Sequence, residues 1–592
     1  MTGEDEGLAT LTAQRWERVN RRLVARVLAE FTYEGLLSAT FDSDGWRIEL
    51  GATDYRFTAT RGVWGQLRIE PASVERHPAA GPMRVTVLMT DLATALSLDG
   101  ATTGNWLQEL QHTLLADLQI DARRARIRLA DLDDIEQQAL LSGHPKLVAS
   151  KGRVGWGLDE LARFAPESGE PVQLQWLAVA RTLASEAPGN QIDRWGLPQG
   201  WLDADSQNEL TRRAAARGAD PARYRLLPVH PWQWQRWVAP LYADALASGE
   251  IHFLGAAGPA LRPLVSLRTF ADVHARERAH VKLPLSVRNT SCYRGLPGDA
   301  ILAGVRLSAW LDGICRRDPA LHPRLRVQRE LAAVHVRQRA YEALDGAPYR
   351  FRETLGAAWR EAPAARLVSE RTVLLAVLAE READGTPVLA HWCRQADCSV
   401  AAWVGALFRN VSAPLYHLLC AYGIGFIAHG QNVAVILRDG LPVGALIKDF
   451  HGDLRLAEDA PAIGLDAVTT AAIKRLPADH LVHDLYTGHL VTTLRFVGDA
   501  LAASGLLREE RFYAALAHTL REHQEQHPEY ASGFRRYDLL RPRMARVCVN
   551  RALLAAGYDD SAERPLPVLG PPLDNPLYTV VHATPTVDAT HD

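Results

Sequence analysis

Residues 423–453 read GIGFIAHGQNVAVILRDGLPVGALIKDFHGD. Within them, GIGFIA and VAVILR are apolar runs of strand length, joined through His429-Gly430-Gln431-Asn432. Asp439-Gly440 signals a two-residue hairpin turn, because both positions tolerate positive φ. VGALIKDF then forms a third strand with Asp449 near its end. Such a meander places a histidine and an amide at one strand start and a carboxylate at a neighbouring strand end. Oxygens of Asn432 and Asp449, completed by nucleotide phosphates, suit a hard Mg2+ ion. Taken singly, Asn432 reads as a turn residue and Asp449 as a strand-end cap. His429 and Gln431 beside them turn the reading toward a site.

Upstream lies LVSLRTFADVHARERAHVKLPLSVRNTSCYRG, 264–295. Period-2 alternation puts Leu264, Ser266 and Arg268 on one strand face, and Lys282, Ser286, Arg288 and Thr290 on one face of the next. Arg294 follows just beyond. A hairpin bearing these groups suits polyphosphate, since arginine forks onto phosphate oxygens and lysine supplies a point charge. The alternative is a pair of edge strands with charges facing water. Farther upstream, Leu227-Pro-Val-His230-Pro-Trp-Gln-Trp234 is a stiff, bulky segment whose histidine reads equally as a ligand or as a core residue. GHPKLVASKGRVG (143–155) is a cationic loop around His144, Lys151 and Arg153.

The remaining chain supplies the frame. Residues 14–30 carry apolar residues at helical spacing. WRIELGA, YRFTATR and VTVLMT, within 45–90, read as short strands. Pro/Gly-rich 187–200 and 254–263 read as loops, and 366–421 as helical, including RTVLLAVLAEREA. The Arg-rich stretch 316–350 reads as a solvated helix face, and RPLPVLGPPLDNPL (564–577) as a surface tail.

With 592 residues, 47% apolar and 23% charged, the chain has material for several domains and a large core. Its net charge of −3, spread along the sequence, argues against nucleic-acid binding. No apolar run reaches spanning length and MTGEDEGLAT is too acidic for a secretory signal, so neither membrane insertion nor export is expected. Six cysteines without a CxxC pair suit a reducing cytoplasm and not a zinc site. GxxxxGK[ST], GxSxG, HExxH and strand-borne GxGxxG motifs are all missing, which sets aside P-loop NTPases, common hydrolases, zincins and Rossmann dehydrogenases.

EFTYE (30–34), GHPKLVASKGRVG, FAPE (164–167), LLPVHPWQW (226–234), SLRT (266–269), VKLPLSVRNTSCYRG (281–295), HGQN (429–432) and IKDFHG (447–452) occur in the order found in a known family. Together they resemble the NRPS-independent siderophore synthetases, the aerobactin-synthetase-like enzymes, over roughly residues 20–580. The resemblance implies an α+β fold shaped as a cupped hand, with mixed antiparallel sheets plus helices: thumb 1–150, fingers 151–370 with the ATP-binding hairpin, and palm 371–592. It implies an ATP- and Mg2+-dependent ligase, often a homodimer, that adenylates a carboxylate and passes the acyl group to an amine or hydroxyl, releasing AMP and pyrophosphate.

By the same resemblance Ser266, Arg268 and Thr269 contact ATP, while Lys282 and Arg294 bind phosphate. Thr290 lies near the α-phosphate, and Arg294 also faces the carboxylate. His429 sits between nucleotide and carboxylate, Gln431 touches the nucleotide, and Asn432 with Asp449 holds Mg2+. Arg294, His429 and Lys282 are then the catalytic group, and Arg294, His429 and Thr290 the substrate contacts; Arg546 is a C-terminal substrate candidate. RNTSCYRGLP looks like the small-polycarboxylate users, so citrate is the expected acid, with α-ketoglutarate or a citryl or succinyl derivative as alternatives. Two rivals come from other classes: a kinase-like small-molecule phosphotransferase, echoed by HGQN and KDF, and a non-catalytic polyanion or ferric-siderophore binder.

Overall fold

The computed structural model describes residues 9–582 except 80, 188, 190, 291, 368, 557 and 559–567. The acidic N-terminal decapeptide falls largely outside this range, as do residues 564–567 of the proline-rich segment. The architecture is α+β. A four-stranded antiparallel sheet (Ala39–Asp42, Gly45–Leu50, Thr53–Phe57, Glu75–His77) packs on the helices Ala13–Tyr33, Val85–Ala95 and Gly100–Arg124. Thr12 starts the first helix by accepting the Arg15 amide, and Val19, Leu23, Val27 and Phe31 point inward from it.

An eight-stranded antiparallel sheet forms the centre, running Ala184–Ala187, Glu330–Val336, Gly356–Arg360, His280–Lys282, Thr269–Ala271, Ile251–Pro263, Val172–Ala180, Tyr224–Val229. The third core encloses two smaller sheets. One pairs Leu325–Val327, Leu441–Ile447, Val433–Arg438 and Arg371–Leu374; the other pairs Ile424–Phe426, Leu454–Ala457 and Lys474–Leu476. Among the described residues no helix is long and apolar enough to cross a membrane.

The fold differs from the sequence expectations at several places, each for a tertiary reason. VTVLMT is helical: Val85, Leu88, Met89 and Leu92 are buried at helical spacing, and the buried Asn20 side chain caps the helix through the Val85 amide at 2.7 Å. Residues 254–263 are strand, because Gly255 and Gly258 at positive φ absorb the register shifts against Val172–Ala180. RTVL (371–374) pairs with Val433–Arg438, and a 3-10 turn follows it. The Arg-rich 316–350 contributes two strands, with Arg326 paired to Glu370 and Arg329 to Glu361. Val568–Asp574 leaves the expected tail to pair with Arg543–Cys548.

The two site-bearing segments also depart from simple hairpins. Residues 264–268 form a turn with Leu267 at φ 69, so Ser266 and Arg268 share no strand face. Pro284 interrupts the following strand: Lys282 stays in the central sheet, whereas Leu285–Asn289 pairs with Cys292–Arg294 as a separate ribbon. Asp439 and Gly440 turn at positive φ as expected, but Ile424–Phe426 joins Leu454–Ala457 instead of Val433–Arg438. The HGQN loop is therefore a crossing between two sheets.

Candidate active site

That crossing opens on a cleft of about 760 Å³ to which all three cores contribute. Ser266, Arg268, Lys282, Thr290 and Arg294 line it from the centre, and His429, Gln431, Asn432 and Asp449 from the C-terminal sheets. Thr269 stands behind: its amide and hydroxyl hold the Ser266 hydroxyl, at 3.2 and 2.8 Å. Arg546 does not line the cleft. It bonds the Tyr33 carbonyl and lies over the Tyr33 ring, so its role is to fasten the C-terminal segment to the first helix.

The hairpin register explains how Asn432 and Asp449 come together. Val433 pairs with Ile447, and the Lys448 amide bonds the Asn432 carbonyl at 3.1 Å, so both side chains leave the same end of one strand pair. The Asn432 side-chain amide donates to the Ile427 carbonyl (3.1 Å) and to Asp453 (2.9 Å). Both its protons are used, which leaves Oδ1 as the atom for a cation. Asp449, at φ 74, accepts from the Lys282 ammonium and from Arg360 at 2.5 Å. His451 joins Lys282 (2.9 Å) to Glu330 (3.2 Å).

Burial alone would raise the Asp449 carboxyl, but Arg360, Lys282 and His451 outweigh it and hold it well below the usual carboxylate range. Burial lowers Lys282 to about 8 against the pull of Asp449, and lowers Lys448, beside Arg360, to about 8. It also lowers His429, opposed by Asp453 and Asp449. His429 Nδ1 accepts the Gln431 amide at 3.2 Å, so its remaining proton sits on Nε2. On the ribbon, Arg294 bonds the Asn289 carbonyl (2.8 Å) and the Thr290 hydroxyl, which sets its guanidinium against the Thr290 turn.

Several groups at the site escaped the sequence reading. Arg360 and Glu330 are paired residues of neighbouring strands, and only the sheet register carries them to Asp449. His451 and Asp453 lie inside IKDFHGD and could have been found by extending that motif. Two segments that the sequence left open act as scaffold. His230 is buried among Trp156, Phe164 and Phe270, its Nδ1 accepting the Trp232 amide, and burial lowers it to about 3. Gln233 of the same motif grips Ser286 and the Thr354 carbonyl, which supports the ribbon. Lys151 pairs with Asp117 at 2.7 Å and Arg153 with Glu167, so the 143–155 loop spends these two cations internally.

Chemically, the cleft is lined by Arg268, Lys282, Arg294, Arg455 and Lys474 against the carboxylates Glu167, Glu380, Asp449 and Asp453, with Arg360 backing Asp449 from behind; such a lining suits a polyanion and offers oxygen donors to a cation. Residues 131–380 match the family model described as "IucA / IucC family", and 401–561 the one described as "Ferric iron reductase FhuF-like transporter". Over 573 residues the chain is 38% identical to aerobactin synthase of Escherichia coli, covering 95% of this chain and 98% of that protein. It is 33% identical to the rhizobactin siderophore biosynthesis protein RhbF of Rhizobium meliloti (strain 1021), with 95% and 96% covered. The solved aerobactin synthetase IucC from a hypervirulent Klebsiella pneumoniae pathotype superposes with a TM-score of 0.86 at 34% identity, covering 96% of this chain and 99% of that one.

Proposed function

The chain belongs to the IucA/IucC family, the siderophore synthetases, and from that premise we propose that it adenylates citrate with ATP and condenses the citryl group with an amine or hydroxyl. One observation supports this most: Asn432 and Asp449 leave one strand end into a cleft whose other charges are mostly cations. Oxygen donors at Asn432 and Asp449, with Glu330 and Asp453 nearby, fit Mg2+, which when bound would offset phosphate charge and stabilise the pentavalent transition state.

The protein's own groups do the rest. A carboxylate attacking an α-phosphate brings two anions together. Lys282 and Arg268 neutralise the polyphosphate, and Arg294 with Thr290 orients the attacking carboxylate. Polyphosphate that draws Lys282 aside opens Asp449 to a cation, while the buried Arg360 behind it keeps the carboxylate ionised. The His429 Nε2–H donates between the two substrates. No covalent enzyme intermediate is required. The same reading divides the chain into thumb 1–150, fingers 151–370 and palm 371–592, working as a homodimer.

Hydroxylamine trapping of the acyl-adenylate across di- and tricarboxylates tests it. Citrate should give the most hydroxamate, with pyrophosphate released. More product from α-ketoglutarate would change the acid but keep the chemistry; ADP in place of AMP would overturn it in favour of a phosphotransferase.

A further inference from the structure

Away from the cleft, three histidines converge where the helices Ala413–Tyr422 and Glu509–Gln526 meet the turn Pro528–Tyr530. His417 Nδ1 is 3.0 Å from His523 Nε2, and one ring nitrogen from each of His417, His523 and His527 lies within 4.8 Å of the others. None of the three lines the cleft, and the cleft chemistry uses none of them. His417 and His523 are buried; the His527 side chain keeps 23% of its surface exposed.

Hydrogen bonds fix the lone pairs of two rings, His417 and His527. His523 Nε2 donates the proton shared with the bare His417 Nδ1 and becomes a ligand when an ion displaces that proton. His417 Nε2 is 3.0 Å from Asp318 Oδ2, and an ionised carboxylate only accepts, so the proton is on Nε2 and Nδ1 is bare. Tyr422 and the Ala320 amide hold that carboxylate in place, both at 2.8 Å. His527 Nδ1 is 3.2 Å from Glu529 Oε1, which by the same logic leaves its Nε2 bare. An imidazole backed by a carboxylate is the usual support of a metal-bound histidine. Burial lowers His417, and lowers His523 to about 3 with His417 and His527 adding to the effect, so these rings stay neutral as ligands must. The charges facing the cluster are Asp318 and Glu529 against Arg324.

We propose that His417, His523 and His527 form a second metal site, for a divalent transition ion with imidazole preference such as Zn2+, distinct from the oxygen-donor cleft. Nitrogen ligands select Zn2+ and its first-row neighbours over Mg2+. Bonds of about 2.1 Å place two nitrogens ~3.4 Å apart in a tetrahedron, near the His417–His523 separation. The partly buried His527 side chain would close the rest, with water as fourth ligand. Such an ion ties the two helices together, and Ala413–Tyr422 runs through Gly423 into the strand Ile424–Phe426 that leads to His429.

The test uses the tag-free full chain, held in saturating Mg2+ so that the cleft oxygens are occupied, and titrated with Co2+ as a visible probe. One Co2+ per chain should bind, with the intense bands of a low-coordinate nitrogen site, and Zn2+ should displace it. His527→Gln should abolish the bands. Glu529→Gln, on the exposed side, should keep them and weaken binding about tenfold, the low end of the range for an outer carboxylate. Asp449→Asn should leave the titration unchanged. Absence of Co2+ binding, bands that survive His527→Gln, or bands lost in Asp449→Asn would each overturn the site.

Discussion

Glu34 and Asp449 are both buried carboxylates beside a buried lysine, yet they are satisfied in opposite ways. Glu34 accepts from the backbone amides of Val549, Asn550 and Arg551 and from the Asn550 side chain, at 2.9 to 3.2 Å, and so caps the helix Val549–Ala556. Lys146 stands 3.8 Å away, bonded to the Val547 carbonyl and placed over the Tyr33 ring. Burial still leaves Glu34 raised above its ordinary range. Asp449 instead meets side-chain cations, Lys282 and Arg360, and is held far below that range. Backbone dipoles cannot leave, whereas side-chain cations can swing to another anion. The first carboxylate is a rivet; the second is a place where partners exchange.

The largest expected effect breaks the cleft half of the comparison. Asp449→Asn keeps the shape and removes the charge, and should cut adenylation by about a thousandfold or more, the scale for losing a preorganised electrostatic group. Asp449→Ala is the poorer probe, because it strands two buried cations. Near-normal pyrophosphate release by Asp449→Asn would take this carboxylate out of the chemistry. Glu34→Ala attacks the other half. Stranding Lys146 and the helix amides should cost about 3 kcal/mol or more of stability, read by thermal unfolding, with kcat per folded molecule little changed. A Glu34→Ala protein that melts like the parent would show that the rivet carries nothing.

Two smaller tests sharpen the contrast. Arg294→Lys keeps charge but loses the fork, so kcat/KM for the carboxylate should fall about ten- to a hundredfold, while KM for ATP moves less. Equal kcat/KM would exclude bidentate recognition there. The mildest is pH. Lys282, lowered to about 8, loses its proton as pH rises through that value, so ATP binding should weaken above pH 8. Stability moves the other way: the unfolded lysine, near 10.5, binds more protons between about pH 8 and 10.5, so stability gains in that window as pH rises. A KM for ATP flat from pH 7 to 9.5 would contradict the first half of this.

The legible parts of the site were local. HGQN and IKDFHG lie either side of one hairpin, so the Asp439-Gly440 turn and strand length were enough to bring Asn432 and Asp449 to one end. Arg360 and Glu330 carried no such signal: each is a single charge on an apolar strand, and nothing nearby marks it. Local pattern also misjudged VTVLMT, where six residues fit either period until Asn20 and the core chose the helix. The cationic loop 143–155 stayed uninformative for the converse reason, since Lys151 and Arg153 find Asp117 and Glu167 only after the chain folds.

From the sequence alone come the motif order that identifies the family, the hairpin that aligns Asn432 with Asp449, and the oxygen and cation chemistry of the cleft. Those rest on turn propensity and residue type, which act over a few bonds. The tertiary structure alone decided that the HGQN loop crosses between sheets, that Pro284 splits the cationic strand, that Arg360 backs Asp449, and that three histidines from distant segments share one corner. Each of these depends on which strands and helices pack together. That pairing is settled by burying three cores at once, a global balance that no short window of sequence contains.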